Sequence, residues 1–513
     1  MATGNTKNHK KKAKLSKLKI AGCVLAGIEF IISVLFIYFA ISTKVVPMKY
    51  ALLAGVVLGI FPILVVLMQM NKKTGVVGIV LAVIISAVVG YGIYLVRHAD
   101  KALDKVTGKT TEITVMNVYI KKDDPVNSIN DAMARNYLFG ILREKDRDKA
   151  DETIKQIESS VSGTVQTKEY ETIFDVAKAM NDSEIQGFIT SSAFVSALDG
   201  SEEYQHFSDG LKIILEKQIE TVVEKKAEDK PEKEETPKAA GCFAVYLSGI
   251  DTFGSVSTKS RSDVNIIAIV NRNTRQIMLI TTPRDFHVPL SISDGNKDKL
   301  THAGIYGIEV SMDTLEMIYD VNLDYYVRLN FSGFINIIDA LGGIDVYSQY
   351  SFGTPMETDY FTYEKGMNHL YGKAALAFAR ERHSFGDGDF QRGRNQMEVI
   401  KGVINALESS QLLYNFSEVM EELSNTFETN MTKDEVGELV QEMIESDKSW
   451  NVLSYEVMGY PDWGVCYTGG GEASVVTPEW RCVDYANELI RRTLDGETMT
   501  QDEVKENAPK GNF

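Results

Sequence analysis

Three apolar stretches, residues 20–41, 48–70 and 76–96, restrict what this chain can become more than any other feature of it. Each is long enough to cross the hydrocarbon core of a bilayer as a helix, and three in succession exceed a single cleavable signal region. Residues 1–19 carry Lys7, Lys10, Lys11, Lys12, Lys14, Lys17 and Lys19, which read as a basic cytoplasmic tail beside the first span. Lysines near spans stay on the cytoplasmic side. With Lys72 and Lys73 inside too, an odd number of crossings sends everything after Arg97 to the outside, making a multi-pass membrane protein. Tyr91 and Tyr94 close the third stretch with interfacial aromatic residues. Arg97, Lys101 and Lys105 run against this orientation, but they alternate with Asp100 and Asp104.

The 513 residues leave room for two or three domains. Lys and Arg number 54 against 71 Asp and Glu, a net charge of −17, which argues against a nucleic-acid binder. The four cysteines are too few for a disulfide scaffold; Cys23 falls in a span and Cys242 begins a strand. Cys466 and Cys482 flank a glycine-rich loop, and a bridge between them is one option that geometry must settle. Gly469-Gly470-Gly471 lacks the Lys-Ser/Thr of a phosphate loop and reads as a flexible surface loop. The seven histidines offer no pair at i,i+4 spacing for zinc, and no nucleophile elbow is present.

Residues 98–223 form an extracellular accessory domain of α/β pattern, with a strand over 113–120 and helices over 126–142 and 151–161. It holds no catalytic cluster, so positioning, partner contact or simple spacing are its open roles. Residues 224–240 are charged and punctuated by proline, a solvated linker. The main domain, 241–496, opens with a strand over 243–248. Helices follow over 312–320 and 331–341, the second closed by Gly342-Gly343 before a strand at 344–347. Further helices are expected over 416–427, 433–445 and 483–494, and 497–513 reads as a disordered tail. Strands alternating with helices imply a mixed sheet covered by helices, so the fold class is α/β.

Charged motifs punctuate the main domain. Apolar runs at 264–270 and 276–282, separated by Asn271-Arg272-Asn273-Thr274-Arg275, form a β-hairpin. Its register sets Asp263 opposite Arg284, so a carboxylate and a guanidinium reach one end of the same sheet. Asp389, Arg392 and Gln396, at i, i+3 and i+7, share one face at the start of a helix running to about Ser409. Asp251, Arg261, Asp298-Lys299-Leu300 and Arg380-Glu381-Arg382 complete the series. Any one of these alone reads as a surface ion pair. Together they suit phosphate: arginine forks match its oxygens, and carboxylates can hold Mg²⁺ on a diphosphate.

Asp251, Arg261-Ser262-Asp263, Pro283-Arg284-Asp285, Asp298-Lys299-Leu300-Thr301-His302-Ala303-Gly304, Tyr325-Tyr326-Val327, Leu341-Gly342-Gly343-Ile344-Asp345-Val346, Ala377-Phe378-Ala379-Arg380-Glu381-Arg382 and the Asp389/Arg392/Gln396 helix together resemble the LytR-CpsA-Psr family. The likeness is dense over 242–409 and thins beyond. Three spans followed by an accessory segment resemble its capsule-associated CpsA branch. Asn395 stands where an arginine is common in the family, and no role passes to it.

The resemblance implies a Mg²⁺-dependent (or Mn²⁺-dependent) phosphotransferase that moves a capsular or teichoic-acid-like glycopolymer from a polyprenyl diphosphate to peptidoglycan, with pyrophosphatase activity as a side reaction. It implies Asp251 and Asp263 as metal ligands. Arg261, Arg284, Lys299, Arg380, Arg382, Arg392 and Gln396 would grip the diphosphate, and Arg284, Arg382, Asp389 and Arg392 would act in the transfer. Asp389 is the candidate base, or it only orients Arg392. The competing expectation is a membrane sensor that binds the lipid-linked precursor without reacting with it.

Overall fold

The computed structural model describes residues 17–43, 46, 48–107, 111–161, 163–222, 236, 238–250, 252, 255–356, 359–408, 427–445 and 448–510. The chain divides into two compact units, residues 1–103 with 433–446, and residues 104–432 with 447–513. In the first, helices Lys17–Ser42, Met48–Met68 and Lys72–Val106 are long and apolar enough to cross a membrane. Their outward side chains are mostly aliphatic, with aromatic ones such as Phe30, Tyr38 and Tyr91 among them, and small residues such as Ala26 and Ala82 pack inside with Val65. Buried polar groups find local partners: Ser33 Oγ donates to Glu29 at 2.8 Å, and the Gln69 amide donates to the Val65 and Gly75 carbonyls at 3.2 Å.

Among the described residues the second unit contains two large sheets and four two-stranded ones. The accessory segment builds five strands in the order Gln166–Tyr170, Leu138–Leu142, Gly187–Ser191, Thr111–Lys121, Leu211–Val222. Apolar clusters occupy it around Phe188 and Phe194 and around Val118 and Phe139. The helix expected over 126–142 is instead a short helix, Ile129–Ala134, and the strand Leu138–Leu142. Asn136 lies between them at φ +54°, a left-handed residue that no helix continues through. The apolar run that follows is buried at four of its five positions, a pattern that periodicity cannot separate from a helix.

The main sheet has six strands in the order Phe427–Thr429, Tyr325–Leu329, Cys242–Ile250, Ser262–Asn271, Gln276–Thr281, Asn451–Glu456. Its central pairs are antiparallel. Tyr325–Leu329 joins Cys242–Ile250 in parallel, as Asn451–Glu456 joins Gln276–Thr281, so the sheet is mixed. Helices Ile308–Tyr319 and Trp480–Leu494 share one apolar core with it, built on Tyr246, Ile267, Met278, Leu315 and Leu489. Helices Phe331–Ala340, Gly372–Arg380 and Asp389–Leu407 gather a second core around Ile338, Phe378 and Val399.

Three expectations change. Gly469-Gly470-Gly471 is not a loose surface loop: a Cβ at Gly469 or Gly471 would sit 2.7 or 2.3 Å from the ring of Phe174 in the accessory helix Ile173–Asn181, and Phe174 N donates to the Gly469 carbonyl. Cys466 and Cys482 are both free and buried, in separate apolar clusters, so no bridge joins them. The tail is ordered through a helix, Gln501–Asn507, whose Thr500 hydroxyl caps Glu503 N. Two apolar side chains, Met499 and Val504, anchor it in the main core, too few to register in a composition reading. The 416–427 helix falls largely outside the described residues, where Phe427 opens a strand. So does most of the linker, although Ala239 N already donates to Leu494 O.

If the tail is docked as described, Val504→Ala should cost about 2 kcal/mol of stability, read as a lower unfolding midpoint in denaturant. An unchanged midpoint would mean the tail contributes nothing to the core.

Candidate functional site

The Ser262–Asn271/Gln276–Thr281 hairpin pairs Ile266 with Thr281 and Asn271 with Gln276. Continued past the strand ends, that register brings Asp263 level with Arg284, and Arg284 Nη1 donates to Asp263 Oδ2 at 2.8 Å. The same guanidinium lies 3.5 Å from Asp285 and donates through Nε to Asp389 Oδ2 at 3.4 Å. Asp389 is the first residue of helix Asp389–Leu407. One turn on, Arg392 donates to the same Oδ2 at 3.2 Å, while Arg382 lies 3.6 Å from Asp389 Oδ1. Lys299 reaches Asp285 at 3.1 Å. Arg284, Arg382, Arg392, Lys299, Asp263 and Asp389 therefore meet in one cluster, drawn from five separate stretches of sequence.

The remaining sequence candidates sit around this cluster. Arg261 donates to the Ser196 carbonyl at 3.2 Å, and its charge reaches Asp263. The Arg380 guanidinium lies over the Phe331 ring, 4.3 Å from its centre. Gln396 donates to the Ala379 carbonyl at 3.4 Å, a strut between helices Asp389–Leu407 and Gly372–Arg380. Asp251 lies outside the described residues.

Several contributors had no role in the sequence reading. Asp285 bridges Arg284 and Lys299, and Thr301 donates to Asp263 Oδ1 at 3.1 Å. Thr301 is placed by its backbone, whose N–H donates to the Arg284 carbonyl at 2.8 Å. Behind Lys299, fully buried Asp298 accepts from Lys299 N, Thr468 N and His302 Nδ1 at 2.7–2.8 Å. Asp298, His302 and Cys466 bring their ligand atoms within 4.8 Å of one another. The donors already on the carboxylate make this group a hydrogen-bonded knot fixing Lys299, and the i,i+4 spacing of Asp298 and His302 was its visible signal. Arg394 joins Asp387 and Glu456, tying the loop after Arg382 to the sheet.

Burial opposes ionisation throughout the cluster, and opposite charges overcome it for most members. Partial burial works against the Asp263 carboxylate, yet Arg284, Arg261 and Arg392 hold its carboxyl below the usual range. Against the same penalty, Lys299 and Arg284 draw Asp285 down to about 2. Arg284 keeps its proton more firmly than a free guanidinium because Asp263, Asp285 and Asp389 outweigh its burial. For Arg392 the balance reverses: burial and the adjacent Arg284 both weaken its hold. A guanidinium crowded by another cation gains most from an incoming anion.

A metal fits the donor chemistry, since hard carboxylate oxygens are what Mg²⁺ takes. Asp263 has both oxygens engaged, by Arg284 and Thr301. Among the described residues the cluster oxygen buried without a hydrogen bond is Asp389 Oδ1.

The family model "LytR_cpsA_psr family" matches residues 212–475, just over half of the chain. The polyisoprenyl-teichoic acid–peptidoglycan teichoic acid transferase TagU of Bacillus licheniformis is 32% identical over 218 residues, 42% of this chain and 68% of that protein. TagU of Bacillus subtilis is 32% identical over 211 residues, 41% and 67%. A crystal structure of B. subtilis TagV, 25% identical, covers 51% of this chain and 100% of its own with a TM-score of 0.42. With a family model matching just over half of the chain and a TagU relative 32% identical over 68% of its own length, the chain belongs to the LytR-CpsA-Psr family.

Proposed function

We propose that this protein is a membrane-anchored phosphotransferase that moves a cell-wall glycopolymer, with its phosphate, from a polyprenyl diphosphate to peptidoglycan. The observation that carries the reading is the cluster itself: Arg284, Arg392 and Lys299 held by Asp263, Asp285 and Asp389, with Arg382 at its rim. The names of the TagU relatives support the substrate class. Fixed guanidinium groups in a water-poor site stabilise charge growing on a phosphoryl group without reorganising.

In this reading Arg261, Arg382 and Arg392 grip the diphosphate oxygens. Arg284 serves from behind, orienting Asp263 and Asp389, and Lys299 holds Asp285. Arg380 would add its charge beside Phe331, and Gln396 keeps the two helices in register. A peptidoglycan hydroxyl attacks the phosphorus nearest the sugar. That oxygen–phosphorus bond forms, the bond to the bridging oxygen breaks, and polyprenyl monophosphate leaves with the bond's electron pair. Asp389 takes the hydroxyl proton at Oδ1, which has no hydrogen bond to give up. Mg²⁺, held by Asp263 and Asp251, would neutralise charge on the diphosphate. Water in place of the acceptor hydroxyl would give the pyrophosphatase side reaction.

The three apolar helices fit an anchor that keeps the site near a lipid-borne donor. We place the N-terminus in the cytoplasm and residues after 97 outside. A phosphatase-type reporter fused after Lys510 should be active outside the membrane; activity of a cytoplasm-only reporter at that point would reverse the topology.

The side chain of Arg382 is 41% exposed and that of Arg284 only 16%, so the two serve different tests. Arg382→Ala should leave the melting temperature unchanged and reduce transfer of labelled glycopolymer to peptidoglycan at least about a hundredfold. Transfer at the wild-type rate would remove Arg382 from the mechanism. Arg284→Ala should lose stability as well as transfer, by about 3 kcal/mol at pH 7, because three carboxylates lose the cation they share. The depressed ionisation of Asp263 and Asp285 in the folded state contributes stability above about pH 4 that disappears as the pH falls toward 2. The variant's deficit should therefore shrink in acid; a deficit that grew would contradict the assignment. Release of polyprenyl monophosphate only when peptidoglycan is present separates transfer from mere sensing.

A further inference from the structure

The segment that leads into Arg261 and Asp263 is held largely by the accessory domain. Ile113 N donates to the Ser257 carbonyl at 2.8 Å and Lys259 N to the Ile113 carbonyl at 2.9 Å, a parallel β-bridge centred on Thr258. Next to it, buried Glu112 pairs with Lys259 Nζ at 3.0 Å, and its other oxygen accepts from Ile308 N at 3.1 Å, the first residue of helix Ile308–Tyr319. Lys259 Nζ also donates to the Tyr306 carbonyl at 2.9 Å. At the far end of the segment, Arg261 donates to the carbonyl of Ser196, the last residue of accessory helix Ser192–Ser196. The main domain closes the other side: Arg328 donates to the Thr258 carbonyl at 2.9 Å. A Cβ on Gly304 would come within 2.6 Å of the Ser260 carbonyl, leaving the segment no room to shift that way.

We propose that the accessory domain is a positioning part of the anion site, fixing residues 257–263 so that Arg261 and Asp263 are ordered before the diphosphate arrives. The inference rests on the reading of that site given above. Its physical basis is entropic: an arginine on a free loop must surrender backbone and rotamer freedom on binding, and a clamp formed beforehand removes that cost. Glu112 is the central positioning residue, because one buried carboxylate ties the segment, through Lys259, to the helix that packs on the sheet.

The test is a double-mutant cycle on the full-length protein in detergent, with geranylgeranyl diphosphate and Mg²⁺ as the binding probe. Glu112→Ala should weaken binding about tenfold. Lys259→Met, which breaks the same pair from the main domain and leaves the accessory fold untouched, should do likewise. Glu112→Gln keeps an oxygen to accept from Ile308 N but sets an NH2 where Lys259 needs an acceptor, so its affinity should lie between wild type and Glu112→Ala. Combining either loss variant with Arg261→Ala should weaken binding by clearly less than the product of the two separate losses, since each acts in part through that side chain. Wild-type affinity in Lys259→Met, or losses that multiply, would overturn the positioning role. Wild-type protein that does not bind the probe at all would overturn the site reading instead.

Discussion

A single largely enclosed guanidinium, that of Arg284, joins three carboxylates drawn from different parts of the chain. Asp263 comes from the start of one hairpin strand, Asp285 from just beyond the end of its partner, and Asp389 from a helix more than a hundred residues later. Ion pairs of this kind add little net stability, because desolvation consumes most of the attraction. Their value lies in what happens when one partner is missing. A lone buried carboxylate at any of these positions would be costly, so hairpin, loop and helix are driven to converge. In the function proposed, the aspartates occupy the cations as stand-ins for phosphate, and a diphosphate with Mg²⁺ would compete for both halves of each pair.

This arrangement explains a division of labour among the arginines. Arg284 is enclosed and over-supplied with negative charge, which suits a support. Arg392 is enclosed but pushed against Arg284, and Arg382 stands at the rim. The residues best placed to meet a new anion are those whose charge is least compensated. The accessory domain enters the same economy through Arg261, which it holds by a main-chain carbonyl without adding charge.

How much of this the sequence revealed depended on the range of the interactions. The Asp263–Arg284 pairing was legible because a short turn fixes the register of a hairpin. The Asp389/Arg392 pair was legible because one helical turn separates them. The knot on Asp298 was only half visible: His302 is four residues away, but Thr468 arrives from 170 residues on. Nothing local in Leu138–Leu142 distinguishes a strand buried on both faces from a helix, and only the left-handed Asn136 separates them in space. The glycine run at 469–471 looked loose because its partner, Phe174, lies some three hundred residues earlier. Composition hid the docked tail, where two side chains among many polar ones do the anchoring.

The most direct measurement is a structure of the protein with a prenyl diphosphate and Mg²⁺ bound. The account requires both phosphates within hydrogen-bond reach, about 3 Å, of Arg261, Arg382 and Arg392, with the metal between the diphosphate and Asp263. A diphosphate bound elsewhere, with the Arg284 cluster unchanged beside an empty pocket, would contradict it.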